Sequence, residues 1–225
     1  MNKLIVQAVA GLVFLLLALG LALFLSAGSL SFWQGWAFLG VFAVCVVLIT
    51  AYLMKYDRNL LAGRVKAVPT AETQKSQQII TWLANLFFLG LIIVPGLDFR
   101  FHWSSVPPVV SILSEGVVAL GFYFIFRVFR ENSFTSGVIE VSGEQKVIST
   151  GPYSVVRHPM YAGAFLLLIF AAPAMGSWVG IPFCLPLILT VVARLLEEEK
   201  FLLANLSGYA EYRQKVRYRL MPYIW

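Results

Sequence analysis

Four stretches of this chain are apolar for long enough to cross a bilayer: residues 4–25, 32–54, 79–97 and 106–129. A spanning helix needs about 20 such residues, so each stretch predicts one span. The first two are joined by a short uncharged turn, residues 26–31, and the last two by a connection holding Asp98, Arg100 and His102. Two longer polar segments divide the rest. Residues 55–78 hold Lys55, Arg58, Arg64, Lys66 and Lys75 against Asp57 and Glu72. Residues 130–158 carry turn signals at Ser136-Gly137, Ser142-Gly143 and Gly151-Pro152.

After Pro159 the chain is apolar again as far as Ala193, with interruptions at residues 173–177 and at Pro182 and Pro186. Each arm is short, which predicts a tight helical hairpin that need not reach the far face of the membrane. From Arg194 apolar residues recur at Leu195, Leu202, Leu206, Tyr209, Val216 and Leu220, close to helical spacing. The opposite face carries Glu197, Lys200, Asn205, Glu211, Arg213, Lys215 and Arg217. That pattern reads as an amphipathic helix, broken at Ser207-Gly208 and lying along the membrane interface. It could be an anchor and nothing more. The apolar run after Lys3, at roughly 22 residues, is long for a signal peptide and reads as a retained first span. The fold class is therefore all-α and integral to the membrane, with four full spans, a C-terminal helical hairpin and a cytoplasmic interfacial helix. Residues 1–130 form the N-terminal spans and a lipid entrance; residues 131–225 form the chemical core.

Composition agrees, and charge adds an orientation. The chain of 225 residues is 60% hydrophobic and only 12% charged, where a soluble domain is nearer a quarter charged. Six passages put both termini on one side, together with residues 55–78, 130–158 and the tail. Of the 17 Lys and Arg, all but Arg100 fall at Lys3, in those segments or at their membrane edges. Such asymmetry marks the basic side as cytoplasmic, in a bacterial inner membrane or the endoplasmic reticulum. The net charge of +6 then reports topology and anionic headgroups rather than nucleic acid. Cys45 and Cys184 both sit in apolar runs, and His102 and His158 are the only histidines. Neither a disulfide framework nor a metal site is expected.

Chemistry concentrates between Gly151 and Gly163, where an Arg, a His, two Tyr and two Pro fall within 13 residues. Proline disfavours helix in the residue before it and suits the first turn of the helix it opens. His158 is thus expected to cap a helix starting at Pro159, whose free backbone amides attract anions. Arg157 adds a fixed positive charge. The plainer readings are a simple helix cap for His158 and an interfacial anchor for Tyr161. Further on, Arg194 and Glu198 are four residues apart and share one helix face, although charges at a membrane boundary also snorkel. Glu115 lies inside the fourth span. An intramembrane carboxylate invites a functional reading, but about two turns from the outer end it reads better as a hydrated or hydrogen-bonded residue near the helix start. Arg127 and Arg130, at the other end of that span, could meet lipid phosphate. No Gly-rich strand-to-helix turn is present, which disfavours a Rossmann-type fold.

Three blocks occur in order: Gln145–Gly163 with its Arg-His-Pro-Met-Tyr core, then Arg194-Leu-Leu-Glu-Glu-Glu-Lys-Phe-Leu, then Gly208-Tyr-Ala-Glu-Tyr with Arg219-Leu-Met-Pro. Over roughly the last 95 residues this resembles the isoprenylcysteine carboxyl methyltransferase family and the related membrane phospholipid methyltransferases. The N-terminal spans resemble that family only in being apolar. The resemblance implies an S-adenosyl-L-methionine-dependent methyltransferase with its cofactor pocket on the cytoplasmic side and a lipid or prenylated substrate drawn from the bilayer. Carried over by position, Gln145, Lys146, Val147, Ile148, Tyr153, Arg157, His158, Pro159, Met160 and Tyr161 would line the cofactor. Glu198 would be its acidic contact, and Arg194 the catalytic, substrate-side arginine, with Arg127 a further substrate contact.

Two acceptors fit. A lipid carboxylate, such as that of an isoprenylcysteine, is already ionised and needs no base. Arg194 would hold it and aim it at the methyl group. A phosphatidylethanolamine amine arrives protonated and needs one, for which Glu197 or Glu199 are candidates. The blocks resemble the carboxyl-methylating branch more. Two readings from other classes remain at this point: a non-enzymatic membrane binding or assembly protein, and a membrane reductase using a nicotinamide cofactor.

Overall fold

The structure, a computed structural model, describes residues 3–65, 75–135, 137, 139, 141 and 145–225. Lys66, Glu72 and the turn residues Ser136, Ser142 and Gly143 lie outside the described residues. Everything regular among those described is helical. The expected spans are present as α1 (Lys3–Ala27), α2 (Trp33–Tyr56), α4 (Lys75–Phe101) and α5 (Pro108–Glu131), each long and apolar enough to cross a membrane. Between α2 and α4 the polar segment holds a short helix, α3 (Arg58–Val65). Asp57 starts it: its Oδ1 accepts from the Leu60 amide at 3.0 Å, the usual N-cap bond. Leu60 and Leu61 then bury against Ala8, Leu53 and Phe129 of the spans.

The hairpin is α6 (Pro159–Ala174) and α7 (Ile181–Asn205). At 16 residues α6 is only about 24 Å long. Its turn nevertheless reaches the same end of the bundle as the α4–α5 connection. Ser177 Oγ and Ser104 Oγ each donate to Asp98 Oδ2 at 2.5 Å, the Ser104 amide donates to Oδ1 at 2.7 Å, and Trp178 Nε1 donates to Ser105 O at 3.1 Å. Asp98, at the end of α4, is thereby buried with its lone pairs satisfied.

Helix α6 packs closely on α5 because both present glycine. A Cβ on Gly121 would lie 2.9 Å from Gly163 O, and one on Gly163 would lie 3.1 Å from Gly121 O and 3.0 Å from Ile125. A side chain there forces the helices apart, so Gly163→Leu is expected to lower stability by about 1–3 kcal/mol. The thermal midpoint of detergent-solubilised protein reads this directly; an unchanged midpoint would mean the helices are not so close.

The tail differs from expectation. Helix α7 runs unbroken from the hairpin turn to Asn205, so Arg194 is a mid-helix residue rather than the start of a new helix. The break falls where Ser207-Gly208 indicated, but α8 covers only Tyr209–Lys215. The remaining residues are not helical. They return to the site, where the Arg157 and His158 amides donate to Tyr218 O and Arg219 O, both at 2.9 Å. Tyr209, Tyr212, Val216 and Leu220 are buried in the protein. The apolar stripe that read as a membrane-facing surface is turned inward: Tyr209, Tyr212 and Val216 form a second core with Val128, Tyr153 and Leu206, and Leu220 packs with Tyr161, Phe165 and Leu195.

Candidate functional site

At the polar end of the bundle a cavity opens where α3, α5, α6, α7 and α8 converge. Its floor is the start of α6. His158 is the N-cap residue and Pro159 the first helical residue, as the sequence indicated. The first intrahelical bond runs from Ala162 N to His158 O at 3.3 Å. Helix geometry therefore leaves the Met160 and Tyr161 amides without an intrahelical acceptor.

Helix α7 forms one wall. Arg194, Glu198 and Leu202, spaced four apart, all line the cavity, as residues one turn apart should. Glu198 Oε2 accepts from the Tyr161 hydroxyl at 2.6 Å. Arg194 is held by α4: Nη1 donates to Thr81 Oγ1 at 3.0 Å and Gln77 Oε1 at 3.3 Å, and Nη2 donates to Gly137 O at 2.9 Å. Gln145, Lys146, Val147 and Ile148 line the cavity too. Tyr153, Tyr209 and Tyr212 complete the wall. Tyr212 Oη donates to Tyr153 O at 2.7 Å, and Asn132 Nδ2 to Tyr153 Oη at 3.0 Å. Burial pushes all three phenols well above their usual range, so they stay protonated.

Behind the cavity lies a buried ion cluster. Arg157 Nε donates to Glu199 Oε1 at 2.6 Å, and Arg219 Nε to Glu199 Oε2 at 2.8 Å. Arg157 Nη1 also donates to Val216 O and Arg217 O at 2.8 and 2.7 Å. Burial opposes the charge on Glu199, but the neighbouring His158 and the Arg219 and Arg157 guanidinium groups together outweigh it and hold its carboxyl well below the usual range. His158 Nε2 stands 3.9 Å from Glu199 Oε1, beyond hydrogen-bond reach. This cluster ties α7 and the C-terminal tail to the residue preceding His158, and so fixes where α6 begins.

The cavity thus gathers every residue expected to line a cofactor, with Arg194 beside them. Arg157 is among them, but its Nε and Nη1 are spent on Glu199 and the tail, which makes it a positioning residue. Arg127 is not brought in: it is exposed, with Nη1 at 3.3 Å from the Tyr123 hydroxyl on the same helix. Neither alternative base faces the cavity. Glu199 is in the ion cluster, and Glu197 pairs with Lys200 at 2.7 Å. Glu115 lies elsewhere, buried in α5, and neither of its oxygens has a hydrogen-bond partner among the described residues. Arg64, Asn132, Tyr209 and Tyr212 were not anticipated as lining residues. The tyrosine pair carried a signal, since its spacing puts both on one face of the tail helix.

The cavity's chemistry suits a zwitterionic sulfonium nucleoside. Glu198 offers a carboxylate to an ammonium, the α6 start offers amides to a carboxylate, and the tyrosine faces suit a sulfonium. His158 Nε2 and Tyr209 Oη are buried without a hydrogen-bond partner among the described residues, leaving two polar atoms for a ligand to satisfy.

Comparison with known proteins points the same way. Residues 109–207 match the phospholipid methyltransferase family. No curated protein matches the chain. Among solved structures, a eukaryotic intramembrane Ras methyltransferase, ICMT (isoprenylcysteine carboxyl methyltransferase), is similar with a TM-score of 0.52 at 21% identity, covering 93% of this chain and 73% of that one. The resemblance read from the sequence is borne out: residues 109–207 carry the phospholipid methyltransferase family's pattern, and the chain, with four helices long and apolar enough to cross a membrane, has a fold like that of ICMT.

Proposed function

We propose that the chain uses S-adenosyl-L-methionine to methylate a carboxylate oxygen on a lipid-borne acceptor, an isoprenylcysteine-like molecule or another lipid carboxylate, at the cytoplasmic face. The observation that carries this reading is the convergence of Arg194, Glu198, Tyr161 and the α6 start on one cavity. When bound, the cofactor supplies a sulfonium methyl group that an ionised carboxylate can take with no proton transfer. Glu198, oriented by Tyr161, holds the cofactor's ammonium. The Met160 and Tyr161 amides, which have no intrahelical acceptor, would be available to its carboxylate. Arg194, braced by Thr81 and Gln77, grips the acceptor carboxylate and fixes its approach, which lowers the barrier chiefly through orientation. The buried walls exclude water from that carboxylate and leave it less solvated.

The family match favours a second acceptor, the amine of a phospholipid headgroup. That route needs a base to remove a proton. Glu197 and Glu199 are turned away from the cavity, and Glu198 is engaged by Tyr161. The carboxylate reading therefore fits these side chains better. A transfer assay with methyl-labelled S-adenosyl-L-methionine against prenylcysteine analogues and phospholipids separates the two. Base-labile volatile label is expected; base-stable label would establish the amine.

A further inference from the structure

Helix α7 has a second functional-looking face. Residues Arg194, Glu198 and Leu202 line the cavity, but Ala193, Leu196, Lys200 and Leu203 line a separate groove against the start of α4. Ile80 forms the α4 wall, and the tail closes the groove with Arg213 and Arg219. Apolar surface continues from it along both helices. Leu83 on α4, and Leu189 and Leu185 on α7, are exposed and stand one turn apart from Ile80, Ala193 and each other. The groove is thus an apolar slot running out of two membrane-crossing faces and ending at arginines.

The charges around it do not balance. Lys200 is paired with Glu197 at 2.7 Å. Glu199, which also reaches the groove, is shared between Arg157 and Arg219, so that cluster keeps one positive charge in surplus. Arg219 is its accessible member, with a side chain 26% exposed against 4% for Arg157. Only Nε of Arg219 is bound, to Glu199; its two Nη groups have no hydrogen-bond partner among the described residues. Arg213 is exposed on α8 and has neither an ion pair nor a hydrogen bond among the described residues. Two guanidinium groups therefore offer N–H donors beside an apolar slot, in the fork geometry that suits phosphate.

We propose that this groove holds one phospholipid with an anionic headgroup. An acyl chain lies between α4 and α7, and the phosphate accepts from Arg213 and from the Nη groups of Arg219. A zwitterionic headgroup is disfavoured, because its ammonium would come close to the same cations. On the orientation read from the charge asymmetry this is the cytoplasmic leaflet, where anionic lipids are enriched. The lipid also steadies the tail, since Arg219 O accepts from the His158 amide at 2.9 Å. None of this depends on which acceptor is methylated or which cofactor is bound.

The test uses the full chain, purified in detergent and stripped of lipid, as wild type, Arg213→Gln and Lys215→Gln. Lys215 is an exposed cation outside the groove, on the other side of α8 because two residues turn a helix by about 200°. Native mass spectrometry counts lipids taken from an equimolar mixture of phosphatidylglycerol and phosphatidylcholine with the same chains. Wild type should take one phosphatidylglycerol in preference. Arg213→Gln should cut that preference by about fivefold, the effect of one basic residue near a membrane surface, and Lys215→Gln by less than about twofold. Phosphatidylglycerol should raise the thermal midpoint of the wild type and raise that of Arg213→Gln less, the two midpoints agreeing without lipid. Glycerol 3-phosphate should not compete, because it has no chain to bury. Equal uptake of the two lipids by the wild type overturns the proposal. So do equal falls in the two variants, which would reduce the effect to general surface charge, and competition by glycerol 3-phosphate as strong as by the lipid.

Discussion

Glu199→Ala is expected to destabilise the folded protein by about 3–5 kcal/mol, the range for removing one partner of a buried ion pair. The carboxylate is buried, at 5% side-chain exposure, and accepts from two guanidinium groups. Removing it leaves Arg157, itself only 4% exposed, as an uncompensated buried cation. Arg219→Ala should cost less, because its side chain is 26% exposed and water can replace part of the interaction. The paired substitution Glu199→Met with Arg157→Met should recover much of the loss, since it removes both charges together. Thermal or denaturant unfolding in detergent checks the series; a loss under about 1 kcal/mol for Glu199→Ala would show that the cluster is not buried as described.

The same carboxylate sets a pH dependence with a definite sign. Its folded pKa lies below the unfolded value of about 4.3, held there by His158 and the guanidinium groups against the effect of burial. Its contribution to stability is fully present above that unfolded value and is lost as pH falls below it toward the folded pKa. Acidification from pH 7 to about 5 should therefore leave this contribution intact, and only stronger acid should remove it.

Arg194→Lys is expected to lower kcat/KM by about 100-fold, or about 2.7 kcal/mol. A lysine keeps the charge but not the planar fork that can bond Thr81 and Gly137 while presenting further N–H groups to a carboxylate. The loss should appear with little change in S-adenosylhomocysteine affinity, because Arg194 is assigned to the acceptor. Equal losses in both quantities would place Arg194 in the cofactor site.

The four spans were legible because about 20 consecutive apolar residues have few alternatives to crossing a membrane. Pro159 marked the start of α6 because proline constrains both itself and His158. The Arg194–Glu198 spacing put both on one face of whichever helix carried them, so the pairing with the α6 start survived an error in where that helix began. The role of the tail was not legible. An amphipathic stripe looks the same whether it faces lipid or protein, and only the fold shows Tyr209 and Tyr212 turned inward. For Arg157 likewise the charge was visible, but not that Glu199 lies 42 residues on in sequence and 2.6 Å away in space. Arg64 had no signal of its own. Residues 55–78 read only as a polar segment, and nothing local said that a short helix there would bring its last turn to α5 and α6.

The central claim is that the hollow between the start of α6 and the mid-section of α7 is a sulfonium-nucleoside site with Glu198 as its acidic contact. Calorimetric titration of S-adenosylhomocysteine into the detergent-purified wild type and Glu198→Gln tests it most directly. Saturable binding to the wild type is expected, weakened in Glu198→Gln by about 10- to 100-fold, the range for a charge-assisted hydrogen bond, with the thermal midpoint of the variant preserved. No binding to the wild type, or equal binding to both proteins, would contradict it.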